Sequence, residues 1–297
     1  MAQAPAHRAV VVGVDGSPES LAAAEWAARE AALRGLPLRL VQAWLRQPVD
    51  GAPERDGAAE ELRARRLLDE VAAEARTRHP GLEVTSALLP APPVPALLTA
   101  GNAAEMLVIG SRGHGALLGF LLGSSGQQVI AEADRPVVAV RSPREDAPGP
   151  GADGGEVVVG QQGDARESAA VLGFAFAAAA ARGVGVRAVR AWSLPSVYAY
   201  TPGALRPVDE AGGLVPYEEK ALAEALAPWR ERYPGVPVTE HVELGSAGQV
   251  LLSVVTGASL VVVGRRVRRA PVGTRIGSVA HAVLHHAPGP VAVVPHA

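Results

Sequence analysis

The fold is decided by one short apolar run, Glu105-Met-Leu-Val-Ile-Gly110, which recurs 154 residues later as Ser259-Leu-Val-Val-Val-Gly264. Three further pairs of runs recur in the same order, at 8–13 and 156–160, 38–44 and 185–192, and 135–140 and 289–294. A period of about 150 residues is that of duplicated domains, because solenoid repeats are only about 20–50 residues long. The chain is therefore predicted to hold two copies of one domain.

The boundaries of the two copies follow from the segment between them. Residues 143–155 are dense in Pro and Gly and have no apolar periodicity, which is typical of a linker. We expect the first domain over residues 1–142 and the second over residues 156–297.

Within the first copy, apolar runs alternate with longer segments of helical character. The runs at 9–13, 38–43, 105–109 and 136–140 do not alternate with polar residues, which indicates strands buried on both faces, and a further strand is expected near 82–88. Helices are predicted over 18–34, where Ser17 and Pro18 form a good N-cap and first position, and over 57–78. Right-handed crossovers then require a doubly wound α/β fold, a parallel sheet with helices on both faces, in each copy.

Composition and charge exclude several functions. The formal net charge is −2, so the chain lacks the positive charge of a nucleic-acid or membrane-surface binder. No cysteine is present, which rules out thiolate metal sites and Cys nucleophiles. No stretch of about eighteen apolar residues occurs. We therefore expect a cytoplasmic protein with neither a nucleic acid nor a membrane as partner.

The carboxyl ends of two predicted strands carry residues suited to an anion. Ligands of such sheets bind beyond the strand ends, where the strand order changes direction. The first strand ends in Gly13-Val-Asp15, and the fourth ends in Gly110-Ser-Arg-Gly113. After nine intervening residues, Gly123-Ser-Ser125 is expected to begin a helix. Free N–H groups, hydroxyls and the Arg112 charge would favour phosphate there. The alternative is that the glycines only make turns and Ser124 is an ordinary N-cap.

The loop after the fourth strand resembles the nucleotide-binding signature of the universal stress protein family. Two residues separate Gly110 from Gly113, and nine residues separate Gly113 from Gly123-Ser. The opening run at 10–17 and the closing run at 135–140 are similar to that family too, and the resemblance covers both halves of the chain. It implies five-stranded parallel sheets of order 3-2-1-4-5. It also implies that the ligand is ATP.

The resemblance further implies a role for each candidate residue. Asp15 would face the nucleoside, Val41 would line the adenine pocket, and the loop glycines and serines would hold the phosphates, with Mg²⁺ or Mn²⁺ as a frequent companion. The candidate binding set is Gly13, Val14, Asp15, Val41, Gly110, Arg112, Gly113, Gly123, Ser124 and Ser125. No residue is assigned a catalytic or direct metal-binding role.

The second copy has lost parts of this pattern. Val267 stands at the position of Gly113, and Gln162 at that of Asp15, whereas Gly277 and Ser278 are retained. One interpretation is a copy that keeps only the fold, and the other is a site adapted to a different anion by its arginines. We favour the first, which predicts one nucleotide per chain.

Three functions agree with this pattern. The favoured one is a nucleotide-dependent regulator of the stress response, which binds ATP and an unknown protein partner. The alternatives are a weak ATP-hydrolysing enzyme and a nucleotide-free scaffold. The sole lysine, Lys220, follows two glutamates, so a Walker lysine is absent and dedicated catalysis is not expected, although slow residual hydrolysis is compatible with the sequence. The strands at 137–140 and 291–294 are expected at sheet edges, which predicts an intrachain pseudo-dimer and leaves a homodimer possible.

Overall fold

The chain divides into two units, Met1–Pro150 and Gly151–Ala297. The computed structural model describes residues 8–44, 55–111, 123–142, 154–193, 214–267 and 276–297. Within those ranges both units alternate strands with helices, as the repeated sequence runs predict.

The first unit contains five parallel strands in the order β3-β2-β1-β4-β5. The strands are β1 Val10–Gly13, β2 Leu38–Ala43, β3 Val84–Leu89, β4 Met106–Ser111 and β5 Val137–Arg141. The helices are α1 Pro18–Arg34, α2 Arg55–Arg78, α3 Pro93–Asn102 and α4 Ser124–Glu132. Helix α1 packs beside α2 and α3 beside α4.

The second unit repeats this arrangement, with parallel strands in the order β8-β7-β6-β9-β10. The strands are β6 Val157–Gly160, β7 Val186–Trp192, β8 Val238–Leu244, β9 Leu260–Arg266 and β10 Val291–His296. The helices are α5 Ala169–Arg182, α6 Val215–Arg232, α7 Ala247–Val254 and α8 Ser278–His286. The prediction of a doubly wound fold of order 3-2-1-4-5, present twice, is confirmed.

The central strands are buried along most of their length. Val10, Val12, Met106 and Val108 have no exposed surface, and Val157 in the second unit has none either. Since helices cover both faces of the sheet, these strands have no solvent side, which explains why their sequences do not alternate. β5 and β10 each end the strand order of their own unit, and the pseudo-dimer expected through them stays a prediction.

Helix α1 begins where the sequence predicts. The Ser17 hydroxyl accepts a hydrogen bond from the Ser20 N–H at 3.2 Å, and Pro18 is the first helical residue. The helix ends at Gly35, which adopts a left-handed conformation with φ of 63°. A polar N-cap and a glycine C-cap satisfy the backbone groups that the helix itself leaves unpaired.

The end of β4 approaches the first turn of α1 so closely that only glycine fits. A Cβ at Gly110 would lie 2.5 Å from the carbonyl carbon of Glu19 and 2.7 Å from the nitrogen of Ser20. Both obstacles are backbone atoms, which cannot move aside as a side chain can. Gly110 therefore sets the distance between strand and helix beside the point where the strand order changes direction.

Replacing Gly110 by alanine is expected to destabilise the first unit by about 2 kcal/mol, because the added methyl group overpacks a rigid contact. Hydrogen exchange of the strand amides, followed by mass spectrometry, measures the free energy of opening of each unit separately.

The matched control is Gly264→Ala at the same position of the second unit. There the added Cβ would meet the ends of the His296 and Val171 side chains, at 2.8 Å and 3.1 Å, and side chains can rotate away. An equal or larger loss of stability in the control would contradict the packing role of Gly110.

Candidate functional site

The loop after β1 holds an aspartate at the carboxyl edge of the first sheet. Val14 is buried, and its N–H donates to the Val41 carbonyl at 2.8 Å, so the chain follows β2 for one residue past the strand. Asp15 is exposed. Its Oδ1 accepts hydrogen bonds from the Ser17 N–H at 2.9 Å and the Ser17 hydroxyl at 2.6 Å. Asp15 thus shapes the entry into α1 and presents a carboxylate at the strand ends.

Val41, the predicted adenine contact, lies beside this loop. It pairs with Gly13 in the parallel register of β1 and β2 and has no exposed surface. Gly13 itself faces Leu97 of α3, since a Cβ there would come within 2.8 Å of that side chain. Gly13, Val14, Asp15 and Val41 are therefore brought together at one edge of the sheet.

Gly110, next to the last residue of β4, is required by packing, which the sequence did not indicate. The motif suggested that Gly110 leaves room for a ligand, whereas the first turn of α1 fills the space that its Cβ would take. In the register of β4 and β5, Gly110 pairs with Val140. This packing places Gly110 at the same sheet edge as Asp15, because α1 begins directly after the aspartate loop.

The start of α4 is open and has no side-chain cap in the described part of the chain. Gly123, Ser124 and Ser125 are all exposed. Gly123 has an ordinary extended backbone with φ of −56° and ψ of 153°, and no described atom lies within 4 Å of the position its Cβ would take. Neither backbone conformation nor packing against the described chain requires a glycine here.

Helix α4 offers phosphate-binding groups at this end. The first N–H groups of a helix have no intrahelical partner, and the helix dipole favours negative charge beside them. The hydroxyls of Ser124 and Ser125 are further donors. Two other residues of the predicted set, Arg112 and Gly113, lie outside the described residues. No described atom lies within 4 Å of the Cβ position of Gly123, so no described contact there connects the start of α4 with the strand ends.

The equivalent loop of the second unit is held by a different network. Gln161 stands where the first unit has Val14, and its side chain is buried. Its amide nitrogen donates to the Gly163 carbonyl at 3.0 Å and lies 3.4 Å from the Ser168 hydroxyl. Arg190 of β7 donates to Gln161 Oε1 at 2.6 Å and pairs with Glu218 at 2.5 Å. Gln161 and Arg190 thus hold this loop together with a turn at Asp164, whose Oδ1 accepts hydrogen bonds from the N–H groups of Arg166 and Glu167 at 2.8 Å.

The cavity at the carboxyl edge of the second unit's sheet is small. A cavity of about 90 Å³ opens at its carboxyl edge, lined by Gln161, Gln162, Leu251 and His296 among others. Pockets for drug-sized ligands are about 300–1,000 Å³. The cavity is smaller than that range.

Val267 continues the sheet at the position where the first unit has the loop residue Gly113. Its N–H donates to the His296 carbonyl at 2.8 Å, just beyond the pairing of Arg266 with His296 in β9 and β10. Arg266 also lies 3.5 Å from Glu167. The backbone here is thus engaged in sheet pairing, and the Arg266 side chain has an acidic partner within the unit. Gly277 and Ser278 still open α8.

The described residues contain neither a metal-binding cluster nor a membrane-spanning helix. No group of three or more His, Asp or Glu side chains there is arranged to hold a metal ion. No helix in those ranges is both long enough and apolar enough to span a bilayer.

Comparison with known proteins agrees with this architecture. The universal stress protein family profile matches residues 7–141 and again residues 156–295. The universal stress protein Rv2005c of Mycobacterium tuberculosis is 39% identical over 96% of this chain and 96% of its own.

One solved structure supports the fold of the whole chain. A universal stress protein from Archaeoglobus fulgidus superposes with a TM-score of 0.73 at 17% identity, over 97% of this chain and 98% of its own. A second structure from A. fulgidus, a universal stress protein in complex with dAMP, is 26% identical, covers 46% of this chain and 98% of its own, and has a TM-score of 0.36.

The profile matches and the identity each extend over most of the chain, and both repeats are matched separately. The chain belongs to the universal stress protein family, as a tandem member with two copies of the family domain.

Proposed function

We propose that this protein binds ATP in its first unit and acts as a nucleotide-dependent regulator of the stress response. The observation that carries the proposal is the open start of α4, where Gly123 leaves space that neither folding nor described packing requires. The full spacing from Gly110 through Gly113 to Gly123 is present in this unit, and Asp15 stands at the neighbouring strand end.

The proposed pose places each part of ATP against a matching group. The adenine ring is placed at the end of β2 next to Val41, whose buried side chain would have to become accessible for a direct contact. The ribose hydroxyls donate to the Asp15 carboxylate. Ser124 and Ser125 bind phosphate oxygens through their N–H and hydroxyl groups, and Gly123 lets those oxygens approach. We place Gly110, Arg112 and Gly113 along the same phosphates. An accompanying Mg²⁺ or Mn²⁺ would take most of its oxygen ligands from the phosphates and water, as Mg²⁺ does in most nucleotide sites.

We further propose that the output of binding is a change in partner recognition, with a protein as the unknown partner. The sequence has no Walker lysine, because Lys220 follows Glu219. A bound ligand then acts by shifting an equilibrium between two states of the protein, and it does so only as far as a partner or the protein itself distinguishes those states.

The second unit is proposed to bind no nucleotide. Its small cavity, the Gln161–Arg190–Glu218 network and the sheet pairing of Val267 all support this. The interpretation as a site adapted to another anion is weakened by Arg266, which already has Glu167 as a partner.

Isothermal titration of the full chain with Mg·ATP is expected to give one site per chain, because only the first unit keeps Asp15 and Gly113, where the second unit has Gln162 and Val267. Chromatography of the nucleotide after titration is expected to recover ATP. Two comparable sites would contradict the assignment of the second unit, and multiple-turnover release of ADP would favour the enzyme instead.

Gly123→Val is expected to weaken ATP binding about tenfold or more, because the branched side chain would stand over the first N–H groups of α4. The fold should remain intact, since φ of −56° suits valine and no described atom obstructs its Cβ. Circular dichroism verifies the fold, and titration measures the affinity. The control Val267→Ala, in the second unit, should leave ATP binding unchanged. Normal binding by Gly123→Val would show that phosphate does not bind at α4.

A further inference from the structure

Helix α8 of the second unit carries three histidines outside its core face. His281, His285 and His286 are three of the eight histidines in the chain. His281 and His286 are exposed, and His285 is partly exposed. The core face of the helix is formed instead by apolar residues such as Val283 and Leu284, which are buried. Neither the packing of the sheet nor the proposed ATP site uses these imidazoles.

Two of the three rings face each other. His281 and His285 are about one helical turn apart, so their side chains lie on the same side of α8. Their ring centroids are 4.2 Å apart, and their ring planes differ by 31°. The ring of His286 is farther away, with its centroid 6.4 Å from that of His285. The helix thus presents one close pair of imidazoles.

The spacing of this pair suits the chelation of one metal ion. A bond from Zn²⁺ to an imidazole nitrogen is about 2.0–2.1 Å long, and with bonds of that length two imidazoles at a right angle have ring centres roughly 4.5 Å apart. The χ2 torsion of histidine is soft, and its rotation turns the nitrogens while the ring centre, which lies almost on the Cβ–Cγ axis, hardly moves. The observed separation of 4.2 Å is therefore close to that of a chelate.

The backbone of α8 holds the two side chains in place. The His281 N–H donates to the Gly277 carbonyl at 3.0 Å, and the Ala287 N–H donates to the Val283 carbonyl at 2.9 Å. Both ends of the helix are therefore hydrogen-bonded. Ligands that are positioned before binding lose less conformational entropy when an ion arrives.

The position of the pair along the helix also favours a cation. Helix α8 ends at His286, and His285 lies in its last turn. The last carbonyl groups of a helix carry partial negative charge, which stabilises positive charge nearby. Both the electrostatics and the ligand chemistry of this helix end therefore suit a metal ion.

The first unit shows that the fold does not require these histidines. Helices α4 and α8 end in the same way, because Ala133 and Ala287, which are 154 residues apart, follow them with φ of −63° and −66°. The same offset gives the residues at the matching positions of α4, which are Gln127 for His281, Ala131 for His285 and Glu132 for His286. The equivalent helix therefore forms without imidazoles, and its residues supply substitutions that the fold accepts.

We propose that His281 and His285 chelate a divalent transition-metal ion that prefers nitrogen ligands and right-angle coordination, such as Ni²⁺ or Cu²⁺. Each imidazole supplies one nitrogen, and water completes the coordination. The described residues supply no third His, Asp or Glu ligand, so the site is an open chelate on the surface of one helix. It goes beyond the proposed ATP function and does not depend on it, because the second unit is proposed to bind no nucleotide.

Isothermal titration of the full chain with Ni²⁺, without nucleotide, is expected to show a site with a dissociation constant of about 0.1 mM or tighter, because the helix holds the second imidazole close to an ion bound by the first. Mg²⁺ is the control ion, since it prefers oxygen ligands and should not displace Ni²⁺. Absence of Ni²⁺ binding at millimolar concentration, or displacement by an equal concentration of Mg²⁺, would overturn the proposal.

Two variants test the location of the site. His281→Gln introduces the residue of the first unit and is expected to weaken Ni²⁺ binding about tenfold or more, because a single imidazole remains on that side of the helix. His286→Gln is the matched control, since it removes a neighbouring imidazole and leaves the pair intact, and it should leave the affinity unchanged. Undiminished binding by His281→Gln, or equal weakening by the two variants, would contradict the assignment to this pair.

Hydrogen exchange locates the bound ion independently of the affinity. An ion that joins His281 to His285 binds only while that turn of α8 is folded, so it stabilises the helix. At a free Ni²⁺ concentration ten times the dissociation constant, exchange of the α8 amides is expected to slow about tenfold in the natural chain and to stay unchanged in His281→Gln. Equal slowing in the variant, or none in the natural chain, would place the ion elsewhere and overturn the proposal.

Discussion

The contact between the end of β4 and the first turn of α1 is the constraint on which the candidate site depends. With no side chain at Gly110, the strand lies against the backbone of Glu19 and Ser20, where even a methyl group would not fit. Because α1 begins at Pro18, three residues after Asp15, the same contact helps to determine where the aspartate loop stands relative to the strand ends. The proposed nucleotide crevice is thus a consequence of how tightly one helix packs on the sheet.

The two units have the same fold but different side chains at equivalent positions. The loop after the first strand is held by Asp15 and Ser17 in one unit, and by Gln161 and Arg190 in the other. Between the first two helices, the second unit packs Phe176 against Trp229, and the first unit has alanines at the equivalent positions. In both places the backbone is kept and the side chains differ. Duplication has therefore produced two units with one sheet topology and different candidate surfaces.

Packing within the protein explains two glycines of the strand ends but does not explain Gly123. Gly110 and Gly13 face other parts of the protein, so their lack of a side chain is explained by packing. Gly123 faces no described atom, and its backbone conformation is open to any residue. Because the described packing does not explain this glycine, we attribute it to the ligand. This contrast is why the proposal of ATP binding depends more on Gly123 than on the strand-end glycines.

The sequence by itself determined the duplication, the positions of the buried strands and the start of α1. These signals are local, because an uninterrupted apolar run or a Ser-Pro pair has the same meaning wherever it occurs. It also pointed to the strand ends as the place for a ligand. Only the tertiary structure decided that Gly110 serves packing, that Arg190 reaches Gln161, and that Trp229 packs against Phe176. Each of these contacts joins residues far apart in the chain, and their meeting depends on interatomic distances that no sequence spacing expresses.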